Sequence, residues 1–87
     1  MFRYKKSAAS VSYNRQGYIY FYSLLYDEVP EAGRKHIEAV AAEAGGEHAE
    51  AVLQYVTSND GEVKICEKYK LDRSTLHRAV ARYYELF

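Results

Sequence analysis

Residues 62–84 read EVKICEKYKLDRSTLHRAVARYY, a segment in which apolar side chains recur between charged ones. Two short helices that cross at a steep angle need apolar side chains along their contact and one small residue where they touch. The small residue is Cys66, and the apolar positions are Ile65, Tyr69, Leu71, Leu76 and either Ala79 or Val80. We therefore predict two helices joined by a tight turn.

The second of these helices is predicted to begin at Arg73. Asp72 is a natural N-cap, because its carboxylate can accept amide hydrogens of the first helical turn, and Ser74 and Thr75 follow just inside. Lys70 stands in the tight turn, where a positive φ would cost a residue with a Cβ more than it costs glycine. We expect modest strain at Lys70 or a turn of different construction.

Residues 58–87 thus resemble the helix-turn-helix of bacterial DNA-binding proteins. The layout is also similar, on fewer features, to the DNA-binding C-terminal region of sigma factors, including a Pro-Glu start of an earlier helix at residues 30–31. The resemblance implies that the segment from Arg73 to about Tyr84 is a recognition helix lying in the major groove of double-stranded DNA. It also implies that the preceding helix crosses the phosphate backbone.

The polar face of the proposed recognition helix supplies the candidate DNA contacts. Base contacts are assigned to Arg73, Ser74, His77 and Arg78. Among them Arg78 is favoured, because arginine can grip guanine with two hydrogen bonds. Phosphate contacts, which position the protein and make binding salt dependent, are assigned to Lys64, Lys68, Lys70, Thr75 and Arg82. The competing interpretation is a solvated helix face that binds nothing.

The segment before Pro30 carries an apolar pattern of helical period. Its members are Tyr18, Ile19, Tyr22, Leu25, Tyr26 and Val29, which predict a first helix within residues 16–29. A hairpin around residues 14–17 is the alternative, because tyrosine favours strands.

Two further helices are predicted between Pro30 and the turn cluster at residues 58–61. Pro30 and Glu31 suit the start of a second helix, which Gly45 and Gly46 end. A third helix over residues 47–57 is predicted to bury Ala49, Val52, Leu53 and Val56. It would support the last two helices and complete a three-helix unit.

A chain of 87 residues has room for one domain with one core. We expect an all-α fold of four to five short helices with a C-terminal three-helix unit. The predicted organisation is a basic flexible arm over residues 1–15, N-terminal helices over residues 16–46 and the helix-turn-helix unit over residues 47–87.

The zero net charge conceals an uneven distribution. Residues 1–17 carry four basic groups and no acidic one, residues 18–61 two basic and eight acidic, and residues 62–87 six basic and four acidic. Both ends can therefore face a polyanion. The arm, with Arg3, Lys5, Lys6 and Arg15, either reaches along a minor groove or is a tail without function.

The longest apolar run, residues 18–26, is too short to cross a bilayer. A single cysteine and the lack of a secretion-type leader lead us to expect a cytoplasmic protein with no membrane partner.

The sequence shows no nucleophile beside a base, no plausible carboxylate pair and no glycine-rich phosphate loop, so an enzyme is not expected. Cys66, His36, His48 and His77 lack the spacing of a zinc site, and we expect no cofactor and no metal.

Aromatic residues surround more than one face of the predicted first helix. They are Tyr18, Tyr20, Phe21, Tyr22 and Tyr26. Either they roof the three-helix unit or they form an interface, where tyrosine is enriched, for a homodimer. The leading hypothesis is a small transcriptional regulator that binds double-stranded DNA. The alternative is a protein-interaction module that contacts RNA polymerase or another regulator through these aromatic residues.

Overall fold

The computed structural model describes residues 10–87, which form five α-helices. Their bounds are α1 Tyr13–Leu24, α2 Glu31–Gly45, α3 Ala49–Thr57, α4 Glu62–Tyr69 and α5 Arg73–Leu86, and a 3-10 turn at Gly46–His48 joins α2 to α3. The described residues contain no β-strand, which confirms the all-α prediction and shows that the hairpin alternative was wrong. Within this part of the chain, every helix is too short or too polar to span a membrane.

The first helix starts earlier and ends sooner than the apolar pattern predicts. Ser12 is the N-cap, and its hydroxyl oxygen accepts the amide hydrogen of Arg15 at 3.2 Å. Residues 13–15 are therefore helical and do not belong to an arm, whereas the basic residues of segment 1–9 lie outside the described part of the chain. The helix ends at Leu24 and not at Val29, because residues 25–29 turn toward Pro30, which restricts the backbone before it.

The inner face of α1 is rotated relative to the predicted stripe. The buried residues are Gln16, Ile19 and Ser23, while Tyr18 and Leu25 are exposed. The Gln16 side-chain amide donates to the Val11 carbonyl at 3.0 Å, and the Ser23 hydroxyl donates to the Ile19 carbonyl at 2.7 Å. These hydrogen bonds make burial of the polar groups possible. An apolar pattern alone could not identify this face.

The second helix begins at Glu31, directly after Pro30, as predicted. It ends at Gly45, and Gly46 adopts a φ of 56°, a value that a residue with a Cβ reaches only at a cost. The 3-10 turn moves the start of α3 to Ala49, two residues after the predicted start at residue 47. The α3 core residues are Ala51, Val52 and Val56, whereas Ala49 and Leu53 are half-buried.

A tight turn at residues 70–72 joins α4 to α5. Lys70 adopts the left-handed conformation with φ 56° and ψ 48°, and the Leu71 amide donates to the Cys66 carbonyl at 3.0 Å. The Asp72 carboxylate then accepts the Thr75 amide hydrogen at 2.7 Å. These bonds confirm the predicted N-cap and the start of α5 at Arg73, and hydrogen bonds from Thr75 hold the pKa of Asp72 below its usual value.

The core lies between α2, α3 and α5, with α1 packed across it and α4 at one side. Ile65, Leu76 and Val80 of the last two helices are buried in the core, as predicted, whereas Tyr69 and Leu71 are half-buried. Tyr83 and Tyr84, near the end of α5, are also buried, which the sequence did not reveal. Burial raises the pKa of Tyr83 to about 12 and that of Tyr84 further still. The second half of α5 is thus a core element.

Candidate nucleic-acid interface

An exposed stripe runs along the outer face of α5. Ser74, Arg78 and Arg82 are exposed and follow one another at intervals of four residues, so they share one side of the helix. Buried Leu76 and Val80 lie on the opposite side, against the core. The structure therefore presents two arginines outward from a well-supported helix, as a contact with an anionic ligand requires.

Arg73 and His77 belong to a different group, turned toward the start of α4. Glu62, the first residue of α4, receives a hydrogen bond from Arg73 Nη2 to Oε1 at 2.6 Å and contacts His77 Nε2 through Oε2. The hydrogen bond with His77 and the nearby charges of His77 and Arg73 hold the pKa of Glu62 below its usual range. We name Glu62, Arg73 and His77 the Glu62 cluster. Four predicted base contacts are therefore exposed, in two separate groups.

Lys64 lies in the first turn of α4, next to an acidic group in the connection from α3. Its Nζ is 3.1 Å from Asp60 Oδ1, and the Lys64 side chain is exposed. A hydrogen bond from Gln54 and the Lys64 ammonium keep the pKa of Asp60 below its usual value. The pairing is an exposed ion pair of modest strength, from which a phosphate can draw Lys64.

Gln54 on α3 organises the end of α4. Its Oε1 accepts hydrogen bonds from Lys68 Nζ and from the Tyr69 hydroxyl, both at 2.8 Å, and its Nε2 donates to Asp60 Oδ2 at 2.9 Å. The Lys68 ammonium also lies 5.4 Å from the centre of the Tyr69 ring. Lys68 remains exposed but is held at the junction of α3 and α4.

The remaining two predicted phosphate contacts differ in environment. Lys70 is exposed at the turn between the two helices. Thr75 is half-buried, and its backbone amide is engaged by the cap at Asp72. Lys70 is thus accessible to a ligand, whereas Thr75 primarily supports the start of α5.

The aromatic residues of α1 form contacts with the end of the chain. Tyr18 and Tyr22 stack with ring centres 5.5 Å apart, and both rings meet Phe87 edge-on. Tyr20 and Phe21 pack edge to face at 4.9 Å. Tyr18 and Phe21 are exposed, while Tyr20, Tyr22 and Tyr26 are half-buried and Tyr26 donates to Glu38. Tyr20, Tyr22 and Tyr26 therefore cover the core, whereas Tyr18 and Phe21 face outward.

Sequence reasoning missed two residues that organise this surface, Glu62 and Gln54. Glu62 is separated by eleven residues from Arg73, so only the crossing of two helices brings them together.

Across residues 10–87 no group of three or more histidine, cysteine or acidic side chains is arranged to hold a metal ion, and Cys66 is a half-buried free thiol. Comparison with family models, curated proteins and solved structures gave no match.

Proposed function

We propose that this protein binds double-stranded DNA and acts as a small transcriptional regulator in the cytoplasm. The observation that carries the proposal is the exposed stripe of Ser74, Arg78 and Arg82 on a helix that follows a tight, well-capped turn. A helix presented in this way fits the major groove of B-DNA, which is wide enough to admit it. The stripe would face the base edges and phosphates.

Within this proposal, the two arginines have different roles along α5. Arg78 lies in the second turn of α5, near the end that enters the groove in related geometries, and would read guanine. Arg82 lies one turn further and would bind phosphate. Lys64, Lys68 and Lys70, all exposed, would contact the backbone from α4 and the turn.

Duplex binding at several salt concentrations tests the proposal. A fluorescein-labelled duplex pool of random sequence is titrated with protein between 50 and 200 mM salt. Release of counterions from four phosphate contacts predicts a loss of affinity of about a hundredfold over this range. Lys68→Ala should weaken binding to all duplexes alike and flatten the salt dependence, whereas Lys35→Ala, on the exposed face of α2, should change neither. A wild-type protein that leaves the duplex unbound at 50 mM salt refutes the proposal.

A second candidate function rests on the exposed aromatic side chains of α1. Tyr18 is 51% exposed and Phe21 is 52% exposed, so both rings are accessible to a partner. In this alternative, the exposed aromatic side chains bind a second copy of the chain or RNA polymerase. Sedimentation of wild type and Tyr18→Ser, alone and with polymerase, distinguishes it. Association that Tyr18→Ser abolishes, together with no duplex binding, favours the interaction module.

A further inference from the structure

Glu62 places a carboxylate among the proposed base-contacting residues of α5. One carboxylate oxygen accepts from Arg73 at 2.6 Å and the other contacts the His77 ring. Arg73 is the first residue of α5 and His77 lies one turn further, so both donors stand on the same side of that helix. Glu62 therefore links the start of α4 to the first two turns of α5.

The three members of the Glu62 cluster differ in exposure. The Glu62 side chain is 22% exposed, whereas Arg73 is 70% exposed and His77 is 51% exposed. The carboxylate thus lies beneath the two donors and shielded from much of the solvent. The donors remain accessible from outside, where a duplex would approach.

Fold stability explains only part of this arrangement, through the acidic side chain in the first turn of α4. Ion pairs with an exposed partner contribute little to stability, because side-chain entropy and water offset their attraction. Ile65 of α4 and Leu76 of α5 are already buried in the same hydrophobic core. What the carboxylate does achieve is to restrict two side chains that otherwise sample many rotamers.

We propose that Glu62 is a positioning residue for DNA recognition, which holds Arg73 and His77 in one arrangement before the duplex arrives and weakens binding to duplexes of arbitrary sequence. The inference rests on the proposed function, since it assigns a role within the same DNA-binding surface. Side chains that are ordered in advance lose less entropy on binding, which favours the sequences that match their arrangement.

The negative charge of Glu62 lowers the affinity for DNA of arbitrary sequence. Attraction to the phosphate backbone supplies most of the affinity for arbitrary DNA, and a carboxylate near that backbone reduces it. Specificity is a difference between two affinities, so a residue that weakens the wrong complexes increases it. Glu62 thus works through both the order of its neighbours and its own charge.

Glu62→Gln is the informative variant, because glutamine keeps the size of the side chain and removes its charge. The probes are a randomised 24-base-pair duplex pool and the duplexes that wild-type protein enriches from it. We expect Glu62→Gln to bind the random pool about three- to tenfold more tightly, as expected for one unit of charge. The ratio of affinities for selected over random duplexes should fall about fivefold or more. Glu43→Gln, which removes an exposed charge on α2, should leave this ratio unchanged.

A double-mutant cycle separates positioning from general electrostatics. If Glu62 acts in part through Arg73, Glu62→Gln should lower discrimination by a smaller factor in the Arg73→Ala background than in the wild type. Losses of discrimination that multiply in the double variant would overturn the positioning role. Thermal unfolding of each variant, recorded beside the titrations, ensures that all measurements are made on folded protein.

The outcomes distinguish this inference from the function on which it rests. If the wild-type protein binds no duplex, both the proposed DNA binding and the role of Glu62 are refuted. Wild-type protein that selects a sequence, with Glu62→Gln showing the same preference and the same affinity for the random pool, overturns the role of Glu62 and leaves DNA binding intact.

Discussion

The hydroxyl groups of Tyr83 and Ser23 lie 2.7 Å apart in the buried contact between the last helix and the first. Because the Ser23 hydroxyl donates its hydrogen to the Ile19 carbonyl, Tyr83 is the donor to Ser23. The two residues are separated by 60 positions in the chain. This hydrogen bond joins α1 to the helix that carries the proposed DNA contacts, and it makes the orientation of α5 depend on α1.

Removing Ser23 should therefore destabilise the protein more than its size suggests. Ser23→Ala leaves the buried Tyr83 hydroxyl without its acceptor, which costs about 1–3 kcal/mol. Tyr83→Phe should cost about 1 kcal/mol, because Ser23 keeps its bond to Ile19. Denaturant unfolding of both variants and of their combination measures the coupling. A double variant as unstable as the sum of the two single changes would contradict a direct interaction.

Glycine at position 70 should have opposite effects on stability and on DNA affinity. Lys70→Gly relieves the left-handed backbone at φ 56°, and we expect a gain of about 0.5–1 kcal/mol after the greater flexibility of the unfolded chain is subtracted. The loss of the ammonium should weaken duplex binding and reduce the salt slope by about one. Lys70→Ala is the matched control, since it removes the charge but keeps the strain. Equal stability of the two variants would contradict the account of the turn.

The buried tyrosines of α5 should make the fold sensitive to alkali. The pKa of Tyr83 is raised to about 12 in the folded chain, whereas an unfolded tyrosine ionises near pH 10. A raised pKa of this kind stabilises the fold fully below about pH 10, and that stabilisation is lost as the pH rises toward 12. Between these values we expect stability to fall by up to about 1.4 kcal/mol per pH unit for each buried tyrosine.

Tyr83→Phe tests the alkaline prediction, because it removes one ionisable group from the core. Its unfolding free energy, measured by denaturant titration from pH 9 to pH 12, should fall about half as steeply as that of the wild type, since Tyr84 remains. Absorbance near 295 nm reports the ionisation of tyrosine directly. Identical slopes in the two proteins would show that Tyr83 is not protected by burial.

Arg78 should determine part of the sequence preference. Arg78→Ala is expected to cost about 1–3 kcal/mol of discrimination between a selected duplex and one with the contacted guanine replaced. Arg78→Lys should retain the salt dependence but lose most of this discrimination, because lysine lacks the planar fork that grips two acceptors. Competition binding with single-base variants of the selected duplex gives the values. Full discrimination by Arg78→Lys would argue that the residue binds only phosphate.

Local chemistry explains why the last two helices could be predicted from sequence. The cap at Asp72 and the small residue Cys66 lie within a few positions of the groups they serve, so their effect is visible in the sequence. The unusual position of Lys70 was visible for the same reason, and the structure shows the positive φ that the position suggested.

Features that depend on distant partners could not be predicted in this way. Gln16 and Ser23 occupy the inner face of α1 because each finds a hydrogen-bond partner there, and for Ser23 one partner comes from the far end of the chain. An analysis of apolar spacing assigns such polar residues to the surface. The pairing of Glu62 with Arg73 likewise depends on how α4 and α5 cross, which a one-dimensional pattern does not specify.

The proposal that the exposed stripe of α5 enters a DNA groove is tested by the amide chemical shifts of ¹⁵N-labelled protein. The spectra are recorded with and without a selected duplex. We predict that the largest changes fall on Ser74, Arg78 and Arg82, with smaller ones around Arg73, His77, Lys68 and Lys70, while the α2 amides keep their positions. Changes confined to the aromatic residues of α1, or no changes at stoichiometric duplex, would contradict the claim.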